Sequence, residues 1–231
     1  MGNVPNAIPE ADAIERWRTI PVAIAVDLNL EPGQIDPAIR PLLPPGQQPP
    51  LFGRAVTVRC EPPDFGAVLH ALKAVQPGDV LVIAAGGDDR TAMIGEILCG
   101  HVRNLGGVGV VCDGAVRDVA TLVEWDDFSV FARHVTPRGP VGMERGSVNV
   151  PIVVGGVIVR SGDLMIGDDD GLVALSPAAI RDGIAGAEAK IALETEWVAN
   201  LASGIPVHET FGLSDADSAG SSYRGPGRAP G

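Results

Sequence analysis

Val108–Gly109–Val110–Val111–Cys112–Asp113–Gly114–Ala115–Val116–Arg117–Asp118 is the stretch on which the fold turns. Its first five residues form a short apolar, largely β-branched run, the pattern of a strand buried on both faces. Val119, Leu122 and Val123 follow at helical spacing, so Arg117 and Asp118 stand at the carboxyl end of a strand, just ahead of a helix. Open α/β sheets place their ligands there. The plain alternative for these two residues is a surface ion pair, and what else gathers around them decides between the readings.

Working outward, further strand-like runs occur at Ala55–Cys60, Val80–Ala84, Phe128–Phe131, Ile152–Val154, Val157–Val159, Leu164–Ile166 and Leu172–Leu175, most of them bounded by Gly, Asp or Pro. Phe65, Val68, Leu69, Leu72 and Val75 predict one amphipathic helix, and Ile94, Ile97, Leu98, Val102 and Leu105 a second, stopped by Gly106–Gly107. The first half alternates strand and helix, whereas residues 150–175 run strand after strand through the Gly155–Gly156 and Ser161–Gly162–Asp163 turns. The expectation is an α/β fold, a β/β/α layered domain over 13–213. Ser176 with Pro177 is an N-cap followed by Pro at the first helical position, opening a helix over about 177–203. Its near-heptad stripe (Ile180, Ile184, Ala187, Ile191, Val198) suits the core of a neighbouring subunit as well as its own. Residues 1–12 and the Ser-, Gly- and Pro-rich 214–231 read as a flexible N-terminus and tail.

Composition removes several function classes. With 17 Lys plus Arg against 29 Asp plus Glu in 231 residues, the net charge of −12 repels phosphate backbones, so nucleic acid is not an expected partner. No apolar run approaches the ~20 residues needed to span a bilayer, so no membrane association is expected. The first 20 residues carry Glu10, Asp12 and Glu15 and no apolar signal core, which predicts a cytoplasmic protein. Cys60, Cys99 and Cys112 have no C-x-x-C spacing and read as small buried hydrophobes.

Familiar motifs fail, and that narrows the field. There is no G-x-S-x-G, H-E-x-x-H or Walker A run. Gly86–Gly87 lacks the third glycine of a dinucleotide turn, and Asp168–Asp169–Asp170–Gly171 lacks the alternation of a calcium loop and reads as a β-turn. The four histidines are scattered. What remains is Gly95–Glu96–Ile97–Leu98 at the entry of the second helix, where free N–H groups can cradle a carboxylate and Gly95 permits close approach. Arg117 can add a two-pronged fork to the same anion, and Asp118 and Glu96 offer hard oxygen donors for Mg2+ or Mn2+. Lys73 and Lys190, the only lysines, fall on helical patterns away from this group, which disfavours imine chemistry.

These residues, with Pro77–Gly78–Asp79–Val80, Val150–Pro151–Ile152, Gly162–Asp163 and Asp168–Gly171, resemble the RraA-like family, which includes the 4-hydroxy-4-methyl-2-oxoglutarate/4-carboxy-4-hydroxy-2-oxoadipate aldolases. The enzyme branch is marked by an acidic residue, twenty intervening residues and Arg–Asp, and Glu96 with Arg117–Asp118 keeps that spacing. The resemblance implies a swivelling β/β/α domain in homotrimers or homohexamers, with the site in a cleft between subunits. It implies a metal-dependent retro-aldol cleavage of a small oxo-acid that releases pyruvate, with oxaloacetate decarboxylase activity alongside. By position, Asp118 would bind the divalent metal (Mg2+ or Mn2+) directly and Glu96 through a water. Arg117 and the amides of Gly95, Glu96, Ile97 and Leu98 would hold the pyruvyl group. The family also holds non-catalytic regulators of ribonuclease E, which depart from the spacing that this chain keeps.

Overall fold

The central apolar runs pair into one large sheet because they carry core residues on both faces, while Ile152–Val154 and Val157–Val159 pair with each other in a separate hairpin. The computed structural model describes residues 10–213; the expected tail at 214–231 and residues 1–9 lie outside the described residues. The chain opens with helices α1 (Glu10–Trp17) and α2 (Val22–Asp27), so Glu10–Asp12 form the first turn of α1 where a flexible terminus is expected to residue 12. Strands β1 (Pro32–Gln34), β2 (Arg40–Pro41) and β3 (Leu51–Arg59) follow, then α3 (Gly66–Ala71), β4 (Asp79–Ala84), β5 (Ala92–Ile94) and α4 (Glu96–Asn104). Next come β6 (Gly109–Val116), α5 (Val119–Leu122), β7 (Ser129–Val135), β8 (Ser147–Val148), β9 (Ile152–Val154) and β10 (Val157–Val159). The chain continues through β11 (Leu164–Asp168), β12 (Gly171–Leu175), α6 (Pro177–Ala202) and α7 (Val207–Thr210).

The order in the main sheet is β1-β12-β11-β3-β4-β6-β7-β2, with β5 beside β6 and β8 beside β3. Strands β3, β4, β6 and β7 are parallel, and β5 joins β6 in parallel as well. The flanking strands run antiparallel. Because side chains alternate along a strand, β4 sends Leu81 and Ile83 into one core and Val80, Val82 and Ala84 into another. The first core also holds Val68 of α3 and Cys99 and Val102 of α4; the second holds Ile152, Val154 and Val159 of the β9–β10 hairpin. Helices on one face and a small second sheet on the other make the β/β/α layering. The hairpin turns on Gly155 (φ 53°) and Gly156 (φ 84°), a two-residue loop with both residues left-handed, which glycine alone adopts without strain.

The single domain expected over 13–213 resolves into two units, one ending at Ala187 and one beginning at Glu188. In the first, Ile180, Ile184 and Ala187 of α6 are buried and Trp17 Nε1 donates to the Ile180 carbonyl at 2.9 Å. Ser176 caps this helix through Oγ to the Ala179 N–H at 3.2 Å. In the second, Leu193, Val198 and Leu201 are exposed, and Trp197 and Phe211 meet with ring centroids 4.7 Å apart. No described helix is long and apolar enough to cross a membrane.

Candidate functional site

Strand β6 is buried over its whole length and runs four residues beyond the expected end at Cys112, delivering Arg117 and Asp118 to the sheet's carboxyl edge. Two backbone bonds fix the junction: Arg117 N–H donates to the Ile94 carbonyl at 3.1 Å, and Thr136 N–H to the Val116 carbonyl at 3.0 Å. Asp118 then takes a left-handed conformation (φ 59°, ψ 36°) ahead of α5, a turn that Asp tolerates better than most residues. That turn swings its carboxylate toward the start of α4. There Asp118 Oδ2 accepts the Glu96 N–H at 3.1 Å and lies 3.4 Å from Arg117 Nε.

The second predicted helix begins later than its apolar spacing suggests. Ile94 ends the short strand β5, and Gly95 is the extended N-cap of α4. The first intrahelical bond is from Cys99 N–H to the Gly95 carbonyl at 3.0 Å, so the N–H groups of Ile97 and Leu98 have no partner one turn earlier. Gly95 is required for a steric reason: a Cβ there would overlap Asp118 Oδ2 and stand 2.7 Å from Arg117 Cγ. The Glu96 amide is committed to Asp118, which removes it from the four-residue anion cradle, while the Ile97 and Leu98 amides are among those it leaves.

Gly95, Ile97, Leu98, Arg117 and Asp118 all line one cavity of about 350 Å³. The Glu96 side chain instead turns to its flank, where Oε2 accepts from Thr121 Oγ1 at 3.2 Å. Phe65, Leu69 and Met143 supply an apolar wall opposite. Lys73 sits in the turn after α3 rather than on a helix and does not line this cavity, while Lys190 pairs with Glu194 at 3.2 Å in the C-terminal unit.

Two features escape the sequence reading. Gly139 lies against the Arg117 guanidinium so closely that a Cβ would stand 2.5 Å from Nη1. The segment carrying Gly139 and Met143 is held down by Asp64, whose carboxylate accepts the N–H groups of Gly66 at 2.8 Å, Arg145 at 3.0 Å and Glu144 at 3.1 Å. Burial works to raise the Asp64 pKa, but these three hydrogen bonds and the Arg145 charge outweigh it and hold the carboxyl below its usual value. Asp64 two residues ahead of Gly66 is an Asx-turn signal and marks a local bond, though not the distant loop it captures.

All three cysteines are buried, as expected. Burial first, and the nearby Asp118 charge second, push the Cys99 thiol far up, so it stays protonated beneath the site and offers no thiolate. Burial likewise carries Cys60 to about 12.

Among the described residues no group of three or more His, Cys, Asp or Glu side chains is arranged to hold a metal. The site offers two carboxylates, and no hydrogen bond among the described residues occupies Asp118 Oδ1. That donor set suits an oxygen-seeking ion such as Mg2+, which keeps several waters and binds proteins through one or two carboxylates.

A family model described as RraA-like (Aldolase/RraA) matches residues 15–174, a span that contains every residue of this site. A Halalkalibacterium halodurans protein named "Putative 4-hydroxy-4-methyl-2-oxoglutarate aldolase" is 37% identical over 166 residues, 72% of this chain and 77% of that protein. Among solved structures, the RNA-processing inhibitor RraA from Thermus thermophilis is 32% identical with a TM-score of 0.60, over 67% of this chain and 92% of that one. A Streptomyces coelicolor protein, described as an unusual member of the RNase ES inhibitor RraA protein family, is 25% identical with a TM-score of 0.68, over 81% and 97%. The family match spans residues 15–174, well over half of the chain, and the chain belongs to the RraA-like family.

Proposed function

We propose that this protein is a divalent-metal-dependent aldolase that cleaves a 4-hydroxy-2-oxo acid of the 4-hydroxy-4-methyl-2-oxoglutarate type and releases pyruvate, with oxaloacetate decarboxylation as a side activity. The observation that carries the proposal is the convergence of Arg117, Asp118 and the start of α4 on one cavity. The name of the H. halodurans relative supports the same reaction class.

Both reactions break a carbon–carbon bond and leave the electron pair on the pyruvyl fragment as an enolate. Arg117 supplies a planar fork for the carboxylate and a positive charge beside the enolate oxygen, where charge develops. The Ile97 and Leu98 N–H groups donate to the same end of the substrate. Asp118 would hold the Mg2+ or Mn2+ ion directly, and Glu96, oriented by Thr121, would hold it through a water. When bound, the ion supplies Lewis-acid polarisation of the 2-oxo group. We assign the exposed apolar residues of α6, Leu193, Val198 and Leu201, to contacts in a homotrimer or homohexamer. Light scattering checks this, and a monomer mass at micromolar concentration overturns it.

The test of function is pyruvate release from 4-hydroxy-4-methyl-2-oxoglutarate and from oxaloacetate, with Mg2+ and after exhaustive chelation. Metal-dependent release is expected; no pyruvate from either substrate overturns the reading. In that event the second reading stands, a non-catalytic regulator of ribonuclease E, which the likeness to the T. thermophilis inhibitor favours.

A further inference from the structure

A second hollow of about 570 Å³ adjoins the cavity, and Gly139 lines both. The second hollow carries two arginines, Arg90 and Arg138, beside Asp88, Thr91 and Thr136. Asp88 is already committed: Oδ1 takes Arg90 Nε at 3.1 Å and Oδ2 takes the Thr91 N–H at 2.9 Å. Arg138 is exposed, and among the described residues its guanidinium has no hydrogen-bonding or ionic partner. An uncompensated cation in the hollow that shares Gly139 with the Arg117 cavity, on a chain of net charge −12, is a local positive point on an acidic molecule.

The backbone beneath it is fixed. The Arg138 carbonyl accepts the Ala92 N–H at 2.9 Å, tying it to β5, whose residues line the first cavity. The bond from Thr136 to Val116 ties the same segment to the residue before Arg117. The missing Cβ of Gly139 leaves room for the Arg117 guanidinium at the boundary between the two hollows. A ligand anchored at Arg117 therefore has two directions for its far end. Toward Phe65, Leu69 and Met143 the wall is apolar, and a carboxylate there would lose hydration without a partner. Over Gly139 it meets Arg138.

We propose that Arg138 is a specificity-determining residue, the receptor for a second carboxylate at the distal end of a 2-oxo acid whose first carboxylate is held by Arg117. The inference rests on the proposed role of Arg117 and assigns a receptor to the second carboxylate that a substrate of the 4-hydroxy-4-methyl-2-oxoglutarate type carries.

Two ligands of equal chain length separate the contributions: 2-oxoglutarate, which carries a distal carboxylate, and 2-oxopentanoate, which does not. Titration calorimetry on the full chain with Mg2+ is expected to show 2-oxoglutarate binding about tenfold more tightly, the contribution of one charge-assisted contact. Arg138→Gln should erase that preference and leave 2-oxopentanoate affinity unchanged, and Arg138→Lys should restore part of it. Equal binding of both ligands by the unaltered chain, or a preference that survives in Arg138→Gln, overturns the inference while the role of Arg117 stands. Failure of both ligands to bind overturns the Arg117 anchor and removes the distal subsite with it.

Discussion

Strand β6 and the corner that follows it carry two aspartates five positions apart, Asp113 and Asp118, and both stand beside an arginine. Asp113 is 7% exposed, and both of its oxygens are taken: Oδ1 by Arg133 Nε at 2.6 Å and Oδ2 by the Gly155 N–H at 2.9 Å. Arg133 reaches on through Nη1 to Asp36 at 2.8 Å, so a three-member chain ties β6 and β7 to the hairpin turn and the loop after β1. Asp118 is 38% exposed at its side chain, and a single oxygen is shared between the Glu96 amide and Arg117. A carboxylate whose lone pairs are filled by the protein is a fastener. One that keeps an oxygen uncommitted, on a left-handed backbone at a cavity wall, is available to something the protein does not contain.

The sharpest way to break this contrast is to neutralise each member. Asp118→Asn keeps the shape and the tolerance for a left-handed conformation but removes the charge. Metal-dependent pyruvate release should fall by ~1000-fold or more, while stability in urea stays within ~0.5 kcal/mol. Asp113→Ala should do the reverse. It leaves Arg133 half-paired and the Gly155 N–H unsatisfied, a loss of about 3 kcal/mol in urea unfolding, with kcat of the folded fraction little changed. If Asp118→Asn destabilises the chain as much as Asp113→Ala, the division between fastener and ligand collapses.

The same contrast explains what the sequence could and could not disclose. The strand expected over Val108–Cys112 and the Arg–Asp corner beyond it follow from local pattern: an apolar run, then charge, then helical spacing. The continuation of β6 to Val116 depends instead on pairing of Ala115 and Val116 with β5 and β7. Ile94 satisfies both a helical period and a short strand, and only its pairing with Val116 assigns it to β5. Sequence spacing gives the anion cradle four amides, but the tertiary bond from Glu96 to Asp118 withdraws one. Gly139 is unreadable because its reason to be glycine lies twenty-two positions away, at the tip of Arg117. The fastening role of Asp113 is equally unreadable, since Arg133, Gly155 and Asp36 come together only when the sheet closes.

Arg117 sharpens the contrast from the cation's side. Arg133 is a structural cation with two carboxylate partners, whereas Arg117 has one, at 3.4 Å, and turns its guanidinium to the cavity. Arg117→Lys keeps the charge and loses the planar fork, so kcat and kcat/KM should fall together. The loss should be on the order of 2–4 kcal/mol, or about 30-fold to 1000-fold. Steady-state kinetics decide the matter. A raised KM with kcat preserved would mean that Arg117 holds the substrate without stabilising the developing charge.

Asp64 is the third kind of carboxylate, saturated like Asp113 but acting at the cavity, since it fastens the segment that carries Met143 and Gly139. Asp64→Asn keeps one acceptor oxygen and sets an amide against the Glu144 N–H, donor against donor. The Asp64 carboxyl is held below its usual value in the folded chain, so the charged form stabilises the fold at pH values above the unfolded-state pKa. That contribution fades as pH falls through the lower folded-state pKa. The expected result is a melting temperature a few degrees lower in Asp64→Asn at pH 7, with the gap from the unaltered chain narrowing as the medium is acidified below the ordinary Asp range. A gap that persists unchanged into strong acid would show that the carboxylate charge contributes nothing and that Asp64 serves only by its shape. Loss of the fastener should also raise KM more than it lowers kcat, because it loosens a wall of the cavity and leaves Arg117 and Asp118 in place.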